Sequence, residues 1–153
     1  MINLLDLSPA ALNRFFAELG EKPFRARQVS HWVHQRFADD VSVETVGLPA
    51  GDRLTVCFTT QAGCAMGCSF CATGRGGLVR NLTPGEMVDQ LIVVANDFGE
   101  RVSNAVALGQ GEPFANYDAV LAALRFINAK EGLGIGARHL TVSTCGLLPG
   151  LAR

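Results

Sequence analysis

Residues 63–74 read GCAMGCSFCATG, and this segment decides the fold that the rest of the chain is expected to adopt. Cys64, Cys68 and Cys71 stand in a C-x3-C-x2-C pattern, after a strand-like run from Leu54 to Thr60. Cysteine thiolates are the usual ligands of iron–sulfur clusters, and three of them on a four-iron cluster leave one iron open. A structural zinc site needs four closed ligands, commonly from two C-x2-C pairs. Since no second pair follows, the spacing favours an open, reactive cluster over zinc or buried structural thiols.

The composition is that of a small protein with almost no net charge. The chain has 153 residues, 48% of them hydrophobic, and a formal net charge of −1, which predicts one domain with a small appendage. No apolar run is long enough to span a bilayer, and residues 1–20 lack the basic start and apolar core of a signal peptide. Five cysteines, three of them clustered, suit a reducing compartment and a metal. We therefore expect a cytoplasmic protein with no membrane partner.

The first 40 residues are predicted to be helical. Ser8-Pro9 starts one helix, Gly20 ends it, and a second helix is predicted from Pro23 to Phe37. The stretch from 22 to 37 has no acidic residue and four cations, which are Lys22, Arg25, Arg27 and Arg36. A helix face that carries these cations is either exposed to solvent or in contact with RNA phosphates. Residues 41–53, which include Gly47, Pro49 and Gly51, are predicted to be a domain junction.

From Leu54 onward the pattern alternates strands with helices, which predicts βαβ units and a parallel sheet. The predicted strands are 54–60, 102–108 and 139–144, and the helices follow Thr83 and begin near Tyr117. Residues 54–153 are thus predicted to form about three βα units.

Side chains of a strand alternate between the two faces of its sheet, so the pattern also predicts an inner chamber. The large apolar residues of the first strand should face covering helices; they are Leu54, Val56 and Phe58. Cys57 alternates with them and should face the chamber. The small residues Ala105, Ala107 and Gly109 are expected to leave room on the chamber side of the second strand.

The cysteine pattern, with an aromatic residue before its last cysteine, resembles the signature of radical S-adenosylmethionine (SAM) enzymes. Shorter segments resemble one family of these enzymes, the RlmN family: 60–64 (TQAGC), 71–74 (CATG), 80–83 (RNLT) and, near the amino terminus, 24–28 (FRARQ). Residues 109–113 (GQGEP) are similar to the family's G-M-G-E-P word, with Gln110 in place of methionine. The resemblance implies an α/β fold, namely a partial radical SAM (βα) barrel preceded by a small helical N-terminal segment.

Enzymes of the RlmN family methylate C2 of an adenine in 23S ribosomal RNA and in transfer RNA. The resemblance therefore implies these RNAs as partners, a 4Fe–4S cluster and SAM as cofactors, an electron donor such as flavodoxin, and a methyl-cysteine intermediate. It implies that Cys64, Cys68 and Cys71 bind the cluster.

The resemblance also implies roles for five further residues of this chain. Glu44 would be the proton acceptor, and Cys57 would resolve a methyl-cysteine adduct with RNA by forming a disulfide. Gly111, through its backbone carbonyl, and Glu112, through its carboxylate, would hold the amino group of SAM. Ser143 would be a further SAM contact.

Residues 54–153 correspond to the amino-terminal half of a radical SAM domain, and residues 1–40 to an abbreviated form of the family's RNA-contacting segment. The methyl-carrying cysteine that the family has near its carboxyl terminus has no counterpart in this sequence. We therefore expect that this chain alone does not complete the reaction. Two alternatives stay open: a non-catalytic fragment that only binds a cluster, and methylation of adenine C8, as in Cfr-type enzymes. The sequence of residues 80–83, RNLT, favours methylation at C2.

Overall fold

The computed structural model describes residues 14, 17–18, 20, 35–36 and 42–152. Arg14, Ala17 and Glu18 are helical and exposed. The backbone N–H of Gly20 donates to the carbonyl of Ala17 at 3.0 Å, and Gly20 has a φ of +72°. This agrees with the predicted end of the first helix at Gly20, since a left-handed glycine is a common helix terminus. The other residues of the predicted N-terminal helices lie outside the described residues, except for one pair.

That pair, Gln35–Arg36, forms strand β1 and pairs antiparallel with strand β2, Ser42–Val43. The helix predicted from Pro23 to Phe37 is therefore wrong at these two residues. Val43 is fully buried, so pairing and burial outweigh the local helical pattern here.

The main sheet of the described residues has four strands, which are β3 (Val46–Ala50), β4 (Arg53–Phe58), β7 (Asn104–Ala107) and β8 (Leu140–Val142). They lie side by side in the order β3-β4-β7-β8. The last three are parallel, as the βαβ pattern predicts, whereas β3 runs antiparallel to β4. The predicted junction thus contributes an edge strand, joined to β4 by a two-residue turn in which Gly51 has a φ of +63°.

Like β1 and β2, the other strands and α-helices of these described residues do not belong to this sheet. They are β5 (Gln61–Gly63), α1 (Ala72–Arg75), β6 (Leu78–Asn81), α2 (Pro84–Phe98), α3 (Tyr117–Asn128) and α4 (Leu148–Leu151). Strands β5 and β6 pair antiparallel and form a stem beneath the cysteine loop.

The hydrophobic core lies on one face of the main sheet, beneath α2 and α3. Leu54, Val56 and Phe58 are fully buried there, as predicted, against residues of α2 such as Met87 and Leu91. The prediction that Ala105 and Ala107 face the chamber is wrong. In register, Ala105 pairs with Val56 and Ala107 with Phe58, and both alanines are buried in the same core. Their small side chains make room for the helices, and Val106 shares the opposite face with Cys57.

The start of α2, which the sequence predicts directly after Thr83, is a capping box. The Thr83 hydroxyl accepts from the Glu86 N–H, and the Glu86 carboxylate accepts from the Thr83 N–H at 2.8 Å. Glu86 also forms a hydrogen-bonded ion pair with Arg80 at 2.8 Å, and the hydrogen bond from Arg80 lowers the pKa of Glu86. The helix therefore begins at a fixed point directly after the stem. In the described part of the chain, no helix combines the length and the apolarity that crossing a bilayer requires.

Candidate active site

The cysteine loop lies beyond the carboxyl end of β4, on the β5–β6 stem. The Cys64 N–H donates to the Gly77 carbonyl at 2.9 Å, and the Cys71 N–H donates to the Cys68 carbonyl at 3.0 Å. Cys64 is buried, whereas the thiols of Cys68 and Cys71 belong to half-buried residues. Phe70, between them, is 89% exposed and free to contact a ligand. Enzymes with a (βα) barrel bind their ligands at the carboxyl ends of the parallel strands.

The donor chemistry of this loop fits an iron–sulfur cluster. Hydrogen bonds from the backbone of Gly74 and then of Thr73 lower the pKa of the Cys71 thiol, which favours the metal-binding thiolate. Within residues 42–152, however, no three Cys, His, Asp or Glu side chains are grouped so that they could hold a metal ion. The three thiols are therefore not gathered into a ligand set in this arrangement, and cluster binding by Cys64, Cys68 and Cys71 stays a prediction.

Cys57 lies on the face of β4 opposite the core, as its alternation with Val56 and Phe58 predicts. Burial raises the pKa of its thiol, although a backbone hydrogen bond from Leu108 opposes that shift. The thiol form is therefore favoured at neutral pH. The cysteines at positions 57, 64, 68, 71 and 145, all within the described residues, are free.

The loop that follows β7, residues 109–112, is tied to the end of β4. The Gln110 carbonyl accepts from the N–H groups of Thr60 at 2.9 Å and Gln61 at 3.2 Å. The Gln110 side chain accepts from the Gly63 N–H at 3.3 Å, and the Gln61 side chain accepts from the Glu112 N–H at 2.8 Å. The candidate SAM loop and the base of the cysteine loop are thus one hydrogen-bonded unit.

This close approach requires glycine at position 111. Gly111 has a φ of +100°, and a Cβ added there would lie 2.6 Å from the Cβ of Gln61. We expect Gly111→Ala to lower the free energy of unfolding by about 2–4 kcal/mol, because it adds a clash to a strained backbone. Urea denaturation measures this. Gly85→Ala is the matched control, since nothing lies within 4 Å of its added Cβ, and an equal loss there would contradict the argument.

Glu112 joins the loop after β7 to the loop after β8. Its carboxylate accepts from the Phe114 N–H at 2.8 Å, the Thr144 hydroxyl at 2.6 Å and the Cys145 N–H at 2.8 Å. Burial acts to raise the pKa of Glu112, but these hydrogen bonds together outweigh it and hold the pKa below the ordinary 4.5. The same carboxylate raises the pKa of the Cys145 thiol. Glu112 is 3% exposed, so it is a buried negative charge at neutral pH.

Removing this carboxylate should destabilise the fold in a pH-dependent way. We expect Glu112→Ala to cost about 2–4 kcal/mol at neutral pH, since the N–H groups of Phe114 and Cys145 lose a charged acceptor. Because the folded-state pKa is depressed, this stabilisation is present above the unfolded-state pKa and is lost as the pH falls through the folded-state pKa.

Urea unfolding of the parent and the variant at neutral and acid pH measures the difference. The gap between them should shrink on acidification. The exposed Glu131 provides the control, and its change to alanine should stay within about 0.5 kcal/mol. A gap that is independent of pH would show that the charge of Glu112 is not what stabilises the fold.

Ser143 and Glu44 lie at the same edge of the sheet. The Ser143 N–H donates to the Ala107 carbonyl at 3.0 Å, directly after β8, and Ser143 is half-buried. Glu44 is also half-buried, and its carbonyl accepts from the Thr59 hydroxyl at 2.6 Å. The segments that carry the predicted site residues therefore converge at the carboxyl ends of β4, β7 and β8.

Three polar residues of this edge were not among the predicted site residues: Thr59, Gln90 and Thr144. Gln90 is fully buried and makes hydrogen bonds to the backbone of Thr59. The sequence does contain a signal for Gln90, because this polar residue lies on the apolar stripe of α2, between Met87 and Leu91. A polar side chain on a buried stripe needs partners, so it marks a hydrogen-bonded contact.

Comparisons with known proteins identify related families. Residues 2–45 match the family described as ribosomal RNA large subunit methyltransferase N-terminal domain, and residues 58–153 match the radical SAM superfamily. The chain is 39% identical to a probable dual-specificity RNA methyltransferase RlmN of Pelotomaculum thermopropionicum, over 99% of this chain and 54% of that protein. It is 54% identical to the protein of the same name from Synechococcus elongatus, over 77% of this chain and 32% of that protein.

A solved structure is similar as well. It is the crystal structure of a radical SAM methyltransferase from Sphaerobacter thermophilus, with a TM-score of 0.70, 36% sequence identity, and coverage of 97% of this chain and 58% of that one. The chain thus spans about half the length of the curated relatives it matches. The predicted fold class, a partial radical SAM barrel, is confirmed. These findings show that the chain belongs to the radical SAM superfamily, and that it is similar to RlmN proteins along nearly its whole length.

Proposed function

We propose that this chain carries the cluster-binding and SAM-binding part of a methyltransferase that modifies C2 of an adenine in 23S ribosomal RNA and in transfer RNA. The names of its relatives support the reaction class. The observation that carries the proposal is the convergence of four segments at one edge of the sheet. They are Glu44, the cysteine loop 64–71, the loop 109–112 and the segment 143–145, and hydrogen bonds of Thr59, Gln110 and Glu112 link them.

In this proposal the sulfurs of Cys64, Cys68 and Cys71 would hold a 4Fe–4S cluster. When bound, the cluster supplies the electron that splits SAM reductively. Glu112 and the carbonyl of Gly111 hold the amino group of SAM, and Ser143 provides a further contact. The buried carboxylate of Glu112 suits this role, because its lowered pKa keeps it ionised opposite an ammonium group.

Glu44 takes the proton that adenine C2 must lose before the methylated product forms. Cys57 lies on the face of β4 opposite the core, where its half-buried thiol can act on a covalent RNA adduct. The cations between residues 22 and 36 contact RNA phosphates, since such contacts dominate affinity for nucleic acid. An electron donor such as flavodoxin would supply the electron for this chemistry.

Anaerobic reconstitution with iron and sulfide tests the proposal. The chain is assayed alone, and again with the carboxyl-terminal half of the Pelotomaculum relative, which supplies the length that this chain does not span. We expect the chain alone to bind the cluster and SAM, and the combined halves to yield 2-methyladenine in RNA. Chromatography of the digested nucleosides separates this product from 8-methyladenine.

The outcomes distinguish the alternative functions. Loading with zinc and no iron–sulfide absorbance would overturn the cluster assignment. Cluster binding without SAM cleavage, even in the combined halves, would favour the alternative that this chain only binds a cluster and is not catalytic. This alternative is tested because the chain spans about half the length of its relatives. A product methylated at C8 would reassign the regiochemistry. Methylation by the chain alone would contradict the expectation that it does not complete the reaction.

A further inference from the structure

Gln90 is a buried polar residue whose side chain uses both its oxygen and its nitrogen. Its Oε1 accepts from the Thr59 N–H at 2.8 Å and from the Thr45 hydroxyl at 2.6 Å. Its Nε2 donates to the Thr59 carbonyl at 2.9 Å and to the Glu86 carbonyl at 3.2 Å. One amide thus holds both backbone groups of Thr59, just past the end of β4. Buried polar groups with such complete partners specify one arrangement of the backbone.

The Thr59 hydroxyl extends this contact to two candidate functional segments. It donates to the Glu44 carbonyl at 2.6 Å and accepts from the Gln110 N–H at 2.9 Å. Thr59 itself is fully buried. A single hydroxyl therefore joins the candidate proton acceptor to the loop that carries Gly111 and Glu112.

Residues 44 and 45 are held at two points by this network. The carbonyl of Glu44 is bound by Thr59, and the side chain of Thr45, which is 1% exposed, is bound by Gln90. These two residues connect β2 to β3 and belong to neither strand. Side-chain hydrogen bonds of Thr59 and Gln90 therefore hold these two residues between the two strands.

We propose that Thr59, held in place by Gln90, is a positioning residue that sets the backbone of Glu44 relative to the loop 109–112. The inference rests on the proposed function for its catalytic meaning, because Glu44 matters there as the proton acceptor. Proton transfer needs the base within hydrogen-bond reach of its substrate, so an error of about 1 Å in the backbone is costly.

Thr59→Val tests the hydroxyl, because valine has nearly the same shape but neither donates nor accepts. Thr59→Ser is the conservative variant that keeps the hydroxyl. Thr55→Val is the matched control on β4, the strand that leads into Thr59, since the Thr55 hydroxyl has only a 3.4 Å contact from Asn104.

The first measurement does not depend on activity. In the chain as it stands, NMR hydrogen exchange follows the Gln110 amide, and the ¹³C-labelled carboxyl signal of Glu44 reports its surroundings. We expect Thr59→Val to speed exchange at Gln110 at least about fivefold, as for one lost hydrogen bond, and to shift the Glu44 signal. Thr59→Ser and Thr55→Val should resemble the parent. Unchanged Gln110 exchange and an unchanged Glu44 signal in Thr59→Val would overturn the proposal, whatever the enzyme does.

The second measurement compares two reactions of the combined halves. Positioning of Glu44 predicts that Thr59→Val lowers RNA methylation about tenfold or more for each SAM cleaved, and that Thr59→Ser restores it. A role in stability alone would lower both reactions together, and that outcome would count against positioning. If the parent itself does not methylate RNA while the NMR result holds, the proposed function fails and the structural link between Thr59 and Glu44 survives.

Discussion

Changing any one of Cys64, Cys68 and Cys71 to serine is expected to reduce bound iron and sulfide to background in the reconstituted chain. A serine hydroxyl stays protonated at neutral pH and is a poor ligand for iron, so each change removes one of three ligands. SAM cleavage should fall by more than about 100-fold, since changes even to residues behind metal ligands cost 10–100-fold. Iron analysis, visible absorbance and cleavage of SAM measure the effect.

Cys145→Ser is the matched control for these variants. Cys145 is the exposed cysteine beside Glu112, and serine keeps a hydroxyl donor for that carboxylate. Its iron content should equal that of the parent. If Cys145→Ser loses iron while Cys64→Ser keeps it, the ligand assignment is wrong.

Glu44→Gln is expected to lower RNA methylation by about 10²–10⁴-fold in the combined halves, with SAM cleavage retained. Glutamine has the size of glutamate and leaves the backbone hydrogen bond from Thr59 available, because that bond uses the Glu44 carbonyl. An amide cannot accept the proton from adenine C2, so only the step that needs a base is lost.

Glu100→Gln removes an equal charge from an exposed residue beyond the end of α2 and should leave both reactions unchanged. The two rates are measured in one sample, as 5′-deoxyadenosine formed and as methylated adenine in RNA. Parental methylation by Glu44→Gln would remove Glu44 from the mechanism. A parallel loss of SAM cleavage would instead indicate a role in binding or folding.

The fold class could be predicted because its signals are local and repeated. The alternation in β4 placed Leu54, Val56 and Phe58 in the core, and the capping box fixed the start of α2 at Pro84. The resemblance of the short motifs then supplied the family, which the comparisons confirm at the level of the radical SAM superfamily. Site roles came from that resemblance and stay predictions, although their segments do meet at one edge.

The predictions were wrong where strand pairing or burial, and not the local sequence pattern, decides the structure. Ala105 and Ala107 were assigned to the chamber because small residues leave room, but the register with Val56 and Phe58 puts them under the helices. Gln35–Arg36 continued a helical pattern, yet it pairs with Ser42–Val43.

By itself, the sequence determined the superfamily of this protein, since three cysteines at C-x3-C-x2-C spacing and a G-x-G-E turn are properties of neighbouring residues. Only the tertiary structure decided which distant groups hold these segments in place. Gln90 meets Thr59, 31 residues away, and Glu112 meets Thr144, 32 residues away. The physical reason is that a buried polar group must find its hydrogen-bond partners in space, and no spacing along the chain reveals which ones it finds.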